Sequence, residues 1–457
     1  MTRYHAPSAL LATGWSENVV FDVDDAGLIT AITPRTAADD AEALNGPVVP
    51  GMPCLHSTSF QRGMAGLTEK GGPQGDSFWS WRKLMYRFIE QLRPDDIEVI
   101  ATQLYIEMLR AGYTSVAEFH YLHHDVSGAP YANRAETSER LLAAASSTGI
   151  AQTLLPVLYA HDNFGGTPPT SGQRRFINNV ADYSGIVETL VAATRGSRAQ
   201  RIGIAPHSLR AVTPQMLNEA VALAAKLGPD TPIHLNLSAQ LKEVNDCLAW
   251  SGQRPVAWLL DHVAVDGRWC VVHATHTEIV EAERLGRSGV VAGLCPTSEG
   301  DLGDGFFNAV PYLRAGGRIG VGADSHVCVD PFLELKLFEY GQRLRFERRN
   351  VLAKGIGESL GGHLYRITAA GGAQAMAQPV GSLAVGLRAD WLVLNHDDPA
   401  LAEQRADGLL DAAIFGPARQ PVRDVMVAGR WVVRDGQHPA ATASFARYRS
   451  VMKRLLG

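Results

Sequence analysis

Several short apolar runs of this sequence end in side chains that can move protons or bind metal ions. The most prominent of these side chains are His56, His207, His273 and Asp324. Imidazole and carboxylate groups serve as general acids, general bases and zinc ligands. A purely structural role for all four is improbable, so their placement predicts one shared site.

The apolar runs have the length of buried β-strands, and amphipathic segments separate them. Strands are predicted at Val48–Leu55, Tyr113–Phe119, Gln152–Tyr159, Ile202–Pro206, Pro232–Leu237, Trp269–His273, Gly289–Cys295 and Arg318–Gly322. Eight strands that alternate with helices favour an α/β fold with a (β/α)8 TIM-type barrel, and a doubly wound sheet is the alternative. Active sites of such barrels lie at the carboxyl ends of the strands, where the four side chains fall.

Both ends of the chain carry further strand signals separated by turn residues. These strands are predicted at Val19–Val23, Leu28–Ile32, Trp391–Leu394, Val422–Val427 and Arg430–Val433. The two ends would pair in a small β-sandwich-like domain. Residues 1–47 and 378–457 are assigned to it, the second segment with a terminal helix, and residues 48–377 to the barrel. Residues 60–92 are expected to form a long irregular loop near the site.

Composition excludes several classes of partner. The 457 residues are 46% hydrophobic and carry 42 basic against 47 acidic side chains, a net charge of −5. This balance provides no basic surface for nucleic acid or an anionic membrane, and no apolar run approaches the roughly 20 residues of a membrane span. The five cysteines are scattered without a C-x-x-C pair, which argues against a disulfide framework. We expect a cytoplasmic protein with no nucleic-acid or membrane partner.

Longer motifs carry a family resemblance over essentially the whole chain. Residues 381–390 read G-x-L-x-x-G-x-x-A-D, a pattern typical of the cytosine- and guanine-deaminase-like branch of the amidohydrolase superfamily. Within that branch the sequence resembles the formimidoylglutamate deiminases at residues 77–82, 103–108, 116–121, 207–212 and 339–345. The resemblance implies a barrel fold, a hydrolase or deiminase scaffold and a homodimer.

The resemblance also implies a zinc site that this sequence keeps only in part. In these deiminases an H-x-H pair, a strand-five histidine and an aspartate hold one zinc ion. His56 and Asp324 match two ligands, but the others fall on Thr58 and Asn236, and the proton-transferring glutamate falls on Ala239. Neutral oxygen donors are poor zinc ligands. We therefore expect a degenerate site with no metal and no cofactor, zinc being retained only if the ligands are rearranged.

The positions that contact substrate in the family are kept. They match Gln61, Arg82, Tyr121, His207, Arg210 and His273. The two arginines are suited to bidentate binding of carboxylates. The expected partner is a small molecule with carboxylate groups, either glutamate-like or an amino acid with an amidine- or amide-like tail.

Three functions follow from this mixture of kept and changed positions. The first is a metal-independent enzyme, in a specialised biosynthetic pathway, with His56, His207, His273 and Asp324 as catalytic groups. Its reaction would be an elimination, an isomerisation, a cyclisation or the hydrolysis of an activated substrate. The second is a zinc-dependent deiminase in which His234 or His207 joins the two kept ligands. The third is a non-catalytic ligand-binding protein. We expect the first, because a retained buried carboxylate needs a task or a partner.

Overall fold

The chain begins with a group of mostly antiparallel strands. The computed structural model describes residues 1–37, 40–71 and 77–457. The strands are β1 (Thr2–Leu11), β2 (Gly14–Val23), β3 (Ile29–Thr33), β4 (Glu42–Ala43) and β5 (Val48–Pro50). β1 pairs with β2 and β2 with β3, both antiparallel. The predicted strands Val19–Val23 and Leu28–Ile32 correspond to β2 and β3, whereas β1 was not predicted.

Parallel strands and helices then alternate through the middle of the chain. The strands are β6 (Met52–Ser57), β7 (Tyr113–His120), β8 (Ala151–Leu158), β9 (Gln200–Ile202), β10 (Ala205–Pro206), β11 (Ile233–Leu237), β12 (Trp269–His273), β13 (Val291–Leu294) and β14 (Arg318–Val321). Each predicted strand is present, but two of the runs are divided. Val48–Leu55 is divided between β5 of the first sheet and β6, and Ile202–Pro206 between β9 and β10. The α/β class is therefore confirmed.

Twelve helices lie within this part of the described chain. They are α1 (Phe78–Ile89), α2 (Pro94–Ala111), α3 (Glu136–Thr148), α4 (Val180–Ala193), α5 (Pro214–Leu227), α6 (Leu241–Ser251), α7 (Pro255–His262), α8 (Ile279–Arg287), α9 (Pro296–Leu302), α10 (Ala309–Arg314), α11 (Pro331–Phe346) and α12 (Leu360–Met376). The expectation of an irregular loop at residues 60–92 is wrong where α1 forms. The hydroxyl of Ser77, the N-cap residue directly before α1, accepts a hydrogen bond from the Trp79 amide. Residues 72–76 of that loop lie outside the described residues.

The parallel strands form a curled sheet with helices packed against it. β6, β7, β8 and β10 pair in sequence with β9 added on β8, and β11 to β14 pair in sequence. Isolated parallel bridges join Ile204 to Ile233 and Ser57 to Asp324. Helix α12 lies so close to β14 that a Cβ atom at Gly371 would stand 1.9 Å from the Ile319 carbonyl oxygen. Only a glycine allows this approach of helix to strand.

Strands from both chain ends belong to one sheet. After α12 follow β15 (Trp391–Leu394), α13 (Asp407–Phe415), β16 (Val422–Val427), β17 (Arg430–Val433) and the terminal helix α14 (Ala441–Leu456). β15 pairs antiparallel with β5, and the hydrogen-bonded order is β17-β16-β15-β5-β1-β2-β3 with β4 on β1. The expected sandwich is thus a single eight-stranded sheet, and the assigned domain boundaries stay a prediction.

A buried ion pair joins this sheet to the rest of the fold. The Arg388 guanidinium donates to both carboxylate oxygens of Asp390 at 2.9 and 2.7 Å, and both side chains are at most 1% exposed. Arg388 also donates to Gln378 Oε1 and to the carbonyl oxygen of Arg198, while Asp390 accepts from the Ala428 amide. Asp390 is the last residue of the G-x-L-x-x-G-x-x-A-D motif, and Arg388 occupies one of its variable positions. Both therefore have a structural role.

None of the described helices combines the length and the hydrophobicity that crossing a bilayer requires.

Candidate active site

A pocket lies at the carboxyl ends of the parallel strands. It brings together all the residues that the sequence predicts for the site, namely His56, Thr58, Gln61, Arg82, Tyr121, His207, Arg210, Asn236, Ala239, His273 and Asp324. They come from β6, β11, β12, α1 and the segments that follow β6, β7, β10, β11 and β14. Aromatic side chains of α1, among them Trp79 and Trp81, complete the lining.

Two histidines and one aspartate converge at the base of this arrangement. The candidate ligand atoms of His56, His273 and Asp324 all lie within 4.8 Å of one another. The Nε2 atom of His56 is 3.4 Å from Oδ1 of Asp324, and its Nδ1 atom is buried without a hydrogen-bond partner among the described residues. Two imidazoles and one carboxylate make up a set of three protein ligands, the number typical of catalytic zinc sites. The donor set therefore fits a zinc ion.

The three side chains differ in their proton affinity. Burial lowers the pKa of His56 despite the neighbouring Asp324. Burial also opposes ionisation of Asp324, but the hydrogen bond from His56 and the nearby His273 lower its pKa to about 2. For His273, burial is outweighed by the hydrogen bond to Glu299, 3.3 Å from Nδ1, and by Asp324, which raise its pKa to about 9. Asp324 is thus an anion at neutral pH.

The two positions that the resemblance aligns with further zinc ligands also face the pocket. Thr58 and Asn236 line it, and Oδ1 of Asn236 is buried without a hydrogen-bond partner among the described residues. His234 does not join them, since its Nε2 atom lies 2.8 Å from the Ala375 carbonyl oxygen on α12. His207 lines the pocket but is not part of the three-residue ligand group. In this conformation neither His234 nor His207 belongs to the metal-ligand group.

Two arginines face the pocket from its outer part. Arg82 lies over the Trp79 ring at 4.7 Å, and Arg210 lies over the same ring at 5.8 Å. Nη2 of Arg82 lies 3.5 Å from a carboxylate oxygen of Asp162. Nη1 of Arg210 donates to the backbone carbonyl oxygen of Asp162 at 3.3 Å. Nη1 of Arg82 is buried and has no hydrogen-bond partner among the described residues. A buried guanidinium with a free donor is suited to a carboxylate.

Aromatic residues hold His207 between these two regions. Its ring lies 4.5 Å from the Tyr159 ring and 5.9 Å from the Tyr121 ring, measured between centroids. The Tyr121 hydroxyl accepts from Gln61 Nε2 at 2.9 Å. Burial and the charge of Arg210 keep the pKa of His207 well below its usual value. His207 is therefore a neutral imidazole at neutral pH.

A buried carboxylate fixes the segment that carries His56. Glu118 accepts hydrogen bonds from the Ser57 hydroxyl at 2.7 Å, from the Ser59 amide at 2.7 Å and from the Tyr105 hydroxyl at 3.0 Å. Burial raises the pKa of Glu118 to about 6, and the hydrogen bonds it accepts oppose that rise. The network holds the end of β6, on which His56 and the following Thr58 depend.

Several residues around the site have a left-handed backbone. Positive φ angles occur at Ser238 (52°), His273 (71°), Ala274 (47°), Asp324 (39°) and His326 (60°). All five follow or end strands β11, β12 and β14 at the pocket. Non-glycine residues rarely adopt this conformation, and such strain concentrates at functional sites.

Comparison with known proteins agrees with this geometry. The sequence profile of the amidohydrolase family matches residues 48–432. The chain belongs to the amidohydrolase family. It is 52% identical to a formimidoylglutamate deiminase of Pseudomonas aeruginosa, over 100% of both chains. A crystal structure of an amidohydrolase from Brucella melitensis matches with a TM-score of 0.95 at 44% identity, covering 100% of both chains. The predicted family resemblance is confirmed, and the chain is an enzyme of the hydrolase and deiminase kind.

A more distant structure shows the same fold. An adenosine deaminase from Xanthomonas campestris, solved with bound zinc, matches with a TM-score of 0.84 at 21% identity over 99% of this chain and 98% of that one.

The expectation that this amidohydrolase has no metal and no cofactor is wrong. It counted Thr58 and Asn236 as decisive losses, but the structure places His273 beside His56 and Asp324 in a group able to hold a metal ion. Three ligands are enough for a catalytic zinc site, which leaves a further position open for water or substrate. A zinc ion is also present in the adenosine deaminase of similar fold.

The sequence reasoning missed two carboxylates that line the pocket of this amidohydrolase. Glu243 lies in the first turn of α6, and Asp304 lies between α9 and α10. Neither follows a predicted strand, so the strand-end pattern that identified the other residues could not find them. Their place in the pocket depends on the path of the loops.

Cys54 lies in β6, two residues before His56. It is fully buried, and burial raises the pKa of its thiol to about 12. The thiolate is the nucleophilic form of cysteine. Cys54 therefore acts as a core residue of the parallel sheet.

Proposed function

We propose that this chain is a metal-dependent amidohydrolase that hydrolyses a C–N bond in a small carboxylate-bearing substrate of the formimidoylglutamate type. The observation that carries the proposal is one pocket that combines a His-His-Asp ligand group with two arginines, the buried Arg210 and the half-buried Arg82. The deiminase from Pseudomonas aeruginosa, 52% identical over the full chain, supports the substrate class. The carboxylates of such a substrate would pair with the two arginines. Its amidine-like tail would lie at the His-His-Asp ligand group.

His56, His273 and Asp324 would hold the ion. When bound, zinc supplies Lewis acidity and makes water nucleophilic near neutral pH. Arg82 and Arg210 bind and orient the substrate carboxylates by charge-assisted hydrogen bonds. His207, neutral and held by aromatic rings, presents a hydrogen-bonding nitrogen to the substrate beside these arginines.

We also infer that the curled sheet closes into a (β/α)8 barrel. The bridges between Ile204 and Ile233 and between Ser57 and Asp324 lie where the two sets of parallel strands adjoin. Residues 48–377 would form this barrel, and the assembly would be a cytoplasmic homodimer as in the sequence-based prediction. Light scattering of the purified protein tests the dimer.

The proposal is tested by metal analysis together with turnover. The protein purified without chelator, incubated with zinc and desalted should retain about one zinc ion per chain, as a three-ligand catalytic site does. It should convert N-formimino-L-glutamate to N-formyl-L-glutamate and ammonia. Treatment with a chelator should abolish ammonia release, and added zinc should restore it. A desalted protein without metal, or a zinc-loaded protein that releases no ammonia, contradicts the proposal.

Replacement of Arg210 by methionine should weaken substrate binding. Removing a charge-assisted hydrogen-bond donor to a carboxylate is expected to raise KM about 10- to 100-fold with a much smaller change in kcat. Steady-state kinetics with N-formimino-L-glutamate measures both constants. The control is Arg287→Met, since Arg287 is 62% exposed on α8 and pairs with Glu283 at the surface. An unchanged KM in Arg210→Met would remove this arginine from the binding site.

A further inference from the structure

We propose that Asp304 is the proton-transfer residue of this site, a role that rests on the proposed hydrolysis. The family glutamate position is occupied here by Ala239, whose methyl group can neither accept nor donate a proton. Hydrolysis of a C–N bond needs a group that moves protons between water and the departing nitrogen. A replacement must therefore face the same pocket.

The carboxylates of the pocket can be compared by what already occupies their oxygens. Asp324 belongs to the metal-binding group. Both oxygens of Glu243 accept backbone hydrogen bonds, from the Ser238 and Ala239 amides at 3.1 Å each. Asp304 accepts through Oδ1 from the side-chain amide of Gln240. Within the described pocket, Asp304 is the carboxylate outside the metal group that keeps an oxygen free of a protein donor.

Asp304 lies beside the segment that carries Ala239. Gln240, which donates to it, directly follows Ala239 in the chain, so Asp304 is held at the same strand end. The Asp304 amide donates to the Glu299 carbonyl oxygen at 2.8 Å, and Glu299 in turn contacts His273. These contacts connect Asp304 to Gln240 on one side and, through Glu299, to His273 on the other. The residue is only 4% exposed.

The charges around Asp304 suit proton transfer near neutral pH. Burial raises the pKa of Asp304 to about 7; His273 opposes this rise, and the carboxylates of Glu299 and Asp324 add to it. General acid–base catalysis is most effective when the pKa of the group lies near the working pH.

The reaction can be balanced with Asp304 and water alone. As the new C–O bond forms, Asp304 passes one proton of water to the imine nitrogen of the substrate. It then moves the proton of the new hydroxyl group to the same nitrogen as the C–N bond breaks. The nitrogen departs as ammonia, the carbon keeps the oxygen as a formyl group, and Asp304 returns to its ionised form.

The test compares Asp304→Asn with the wild type as zinc-loaded full-length proteins. With N-formimino-L-glutamate, kcat should fall about 100- to 10,000-fold, the range of general acid–base effects, while KM changes little. The decline of kcat towards low pH, where wild-type Asp304 becomes protonated, should disappear. Zinc content and the calorimetric affinity for N-formyl-L-glutamate should stay at wild-type values.

Two further measurements separate this role from a structural one. Formate should restore part of the activity of Asp304→Ala, because it can occupy the vacated space and carry the proton. Asp301→Asn is the matched control, since Asp301 lies three residues away on α9, is exposed and does not line the pocket. A near-normal kcat in Asp304→Asn, lost zinc in that variant or no rescue by formate overturns the inference. Absence of turnover in the zinc-loaded wild type instead overturns the proposed function and removes this inference with it.

Discussion

Replacement of Asp324 by alanine is expected to lower kcat/KM by about 1,000-fold or more, because the ligand group loses its only carboxylate. The remaining ligands, His56 and His273, are too few for a catalytic zinc site. The measurements are ammonia release from N-formimino-L-glutamate and zinc content after desalting.

Two comparisons show that the effect belongs to the ligand role. Asp324→Asn keeps the shape of the side chain and should lose zinc and activity in the same way. Asp397→Asn changes a side chain that is 68% exposed and pairs with Arg423 in the carboxyl-terminal part of the chain, so it should leave both unchanged. Retention of stoichiometric zinc and full activity by Asp324→Ala would rule out this ligand group.

Replacement of Asp390 by alanine is expected to lower the free energy of unfolding by about 3–5 kcal/mol, the usual cost of breaking a buried ion pair. The variant leaves the Arg388 guanidinium charged and 1% exposed. It also removes the acceptor of the Ala428 amide at the turn between β16 and β17. Urea denaturation followed by circular dichroism measures the loss.

A double variant shows whether the loss of stability comes from the unpaired charge of Arg388. Arg388→Met combined with Asp390→Ala removes both charges and should be less destabilised than Asp390→Ala alone, because no buried charge is left unpaired. Glu283→Ala, which breaks an exposed pair with Arg287, should change the unfolding free energy by less than about 1 kcal/mol. Equal stability of Asp390→Ala and wild type would contradict a structural role for the motif.

The sequence was sufficient for the parallel strands because their apolar runs are short and clearly separated. The helix α1 was missed, since its partly buried aromatic and basic residues were interpreted as part of an irregular loop. Strand β1 was missed as well, because its sequence mixes polar and small residues without strict alternation. In both elements tertiary contacts outweigh the local signal.

The sequence located the site better than it described its chemistry. Residues at strand ends, such as His56 and Asp324, were identified because the carboxyl ends of neighbouring parallel strands meet at one edge of a sheet. Asp304 and Glu243 come from a loop and a helix start, for which no such rule exists. The cofactor expectation was wrong because it compared ligand positions one by one, whereas metal binding depends on which atoms meet in space, His273 among them.

The left-handed residues at the strand ends have a consequence for how this protein can change. Each such residue costs roughly 1 kcal/mol or more, against a net stability of about 5–15 kcal/mol for a typical domain. Substitutions that relax His273 or Asp324 into ordinary backbone would thus favour folding while they displace the side chains of the pocket. Selection for stability alone would therefore favour substitutions that disrupt this site.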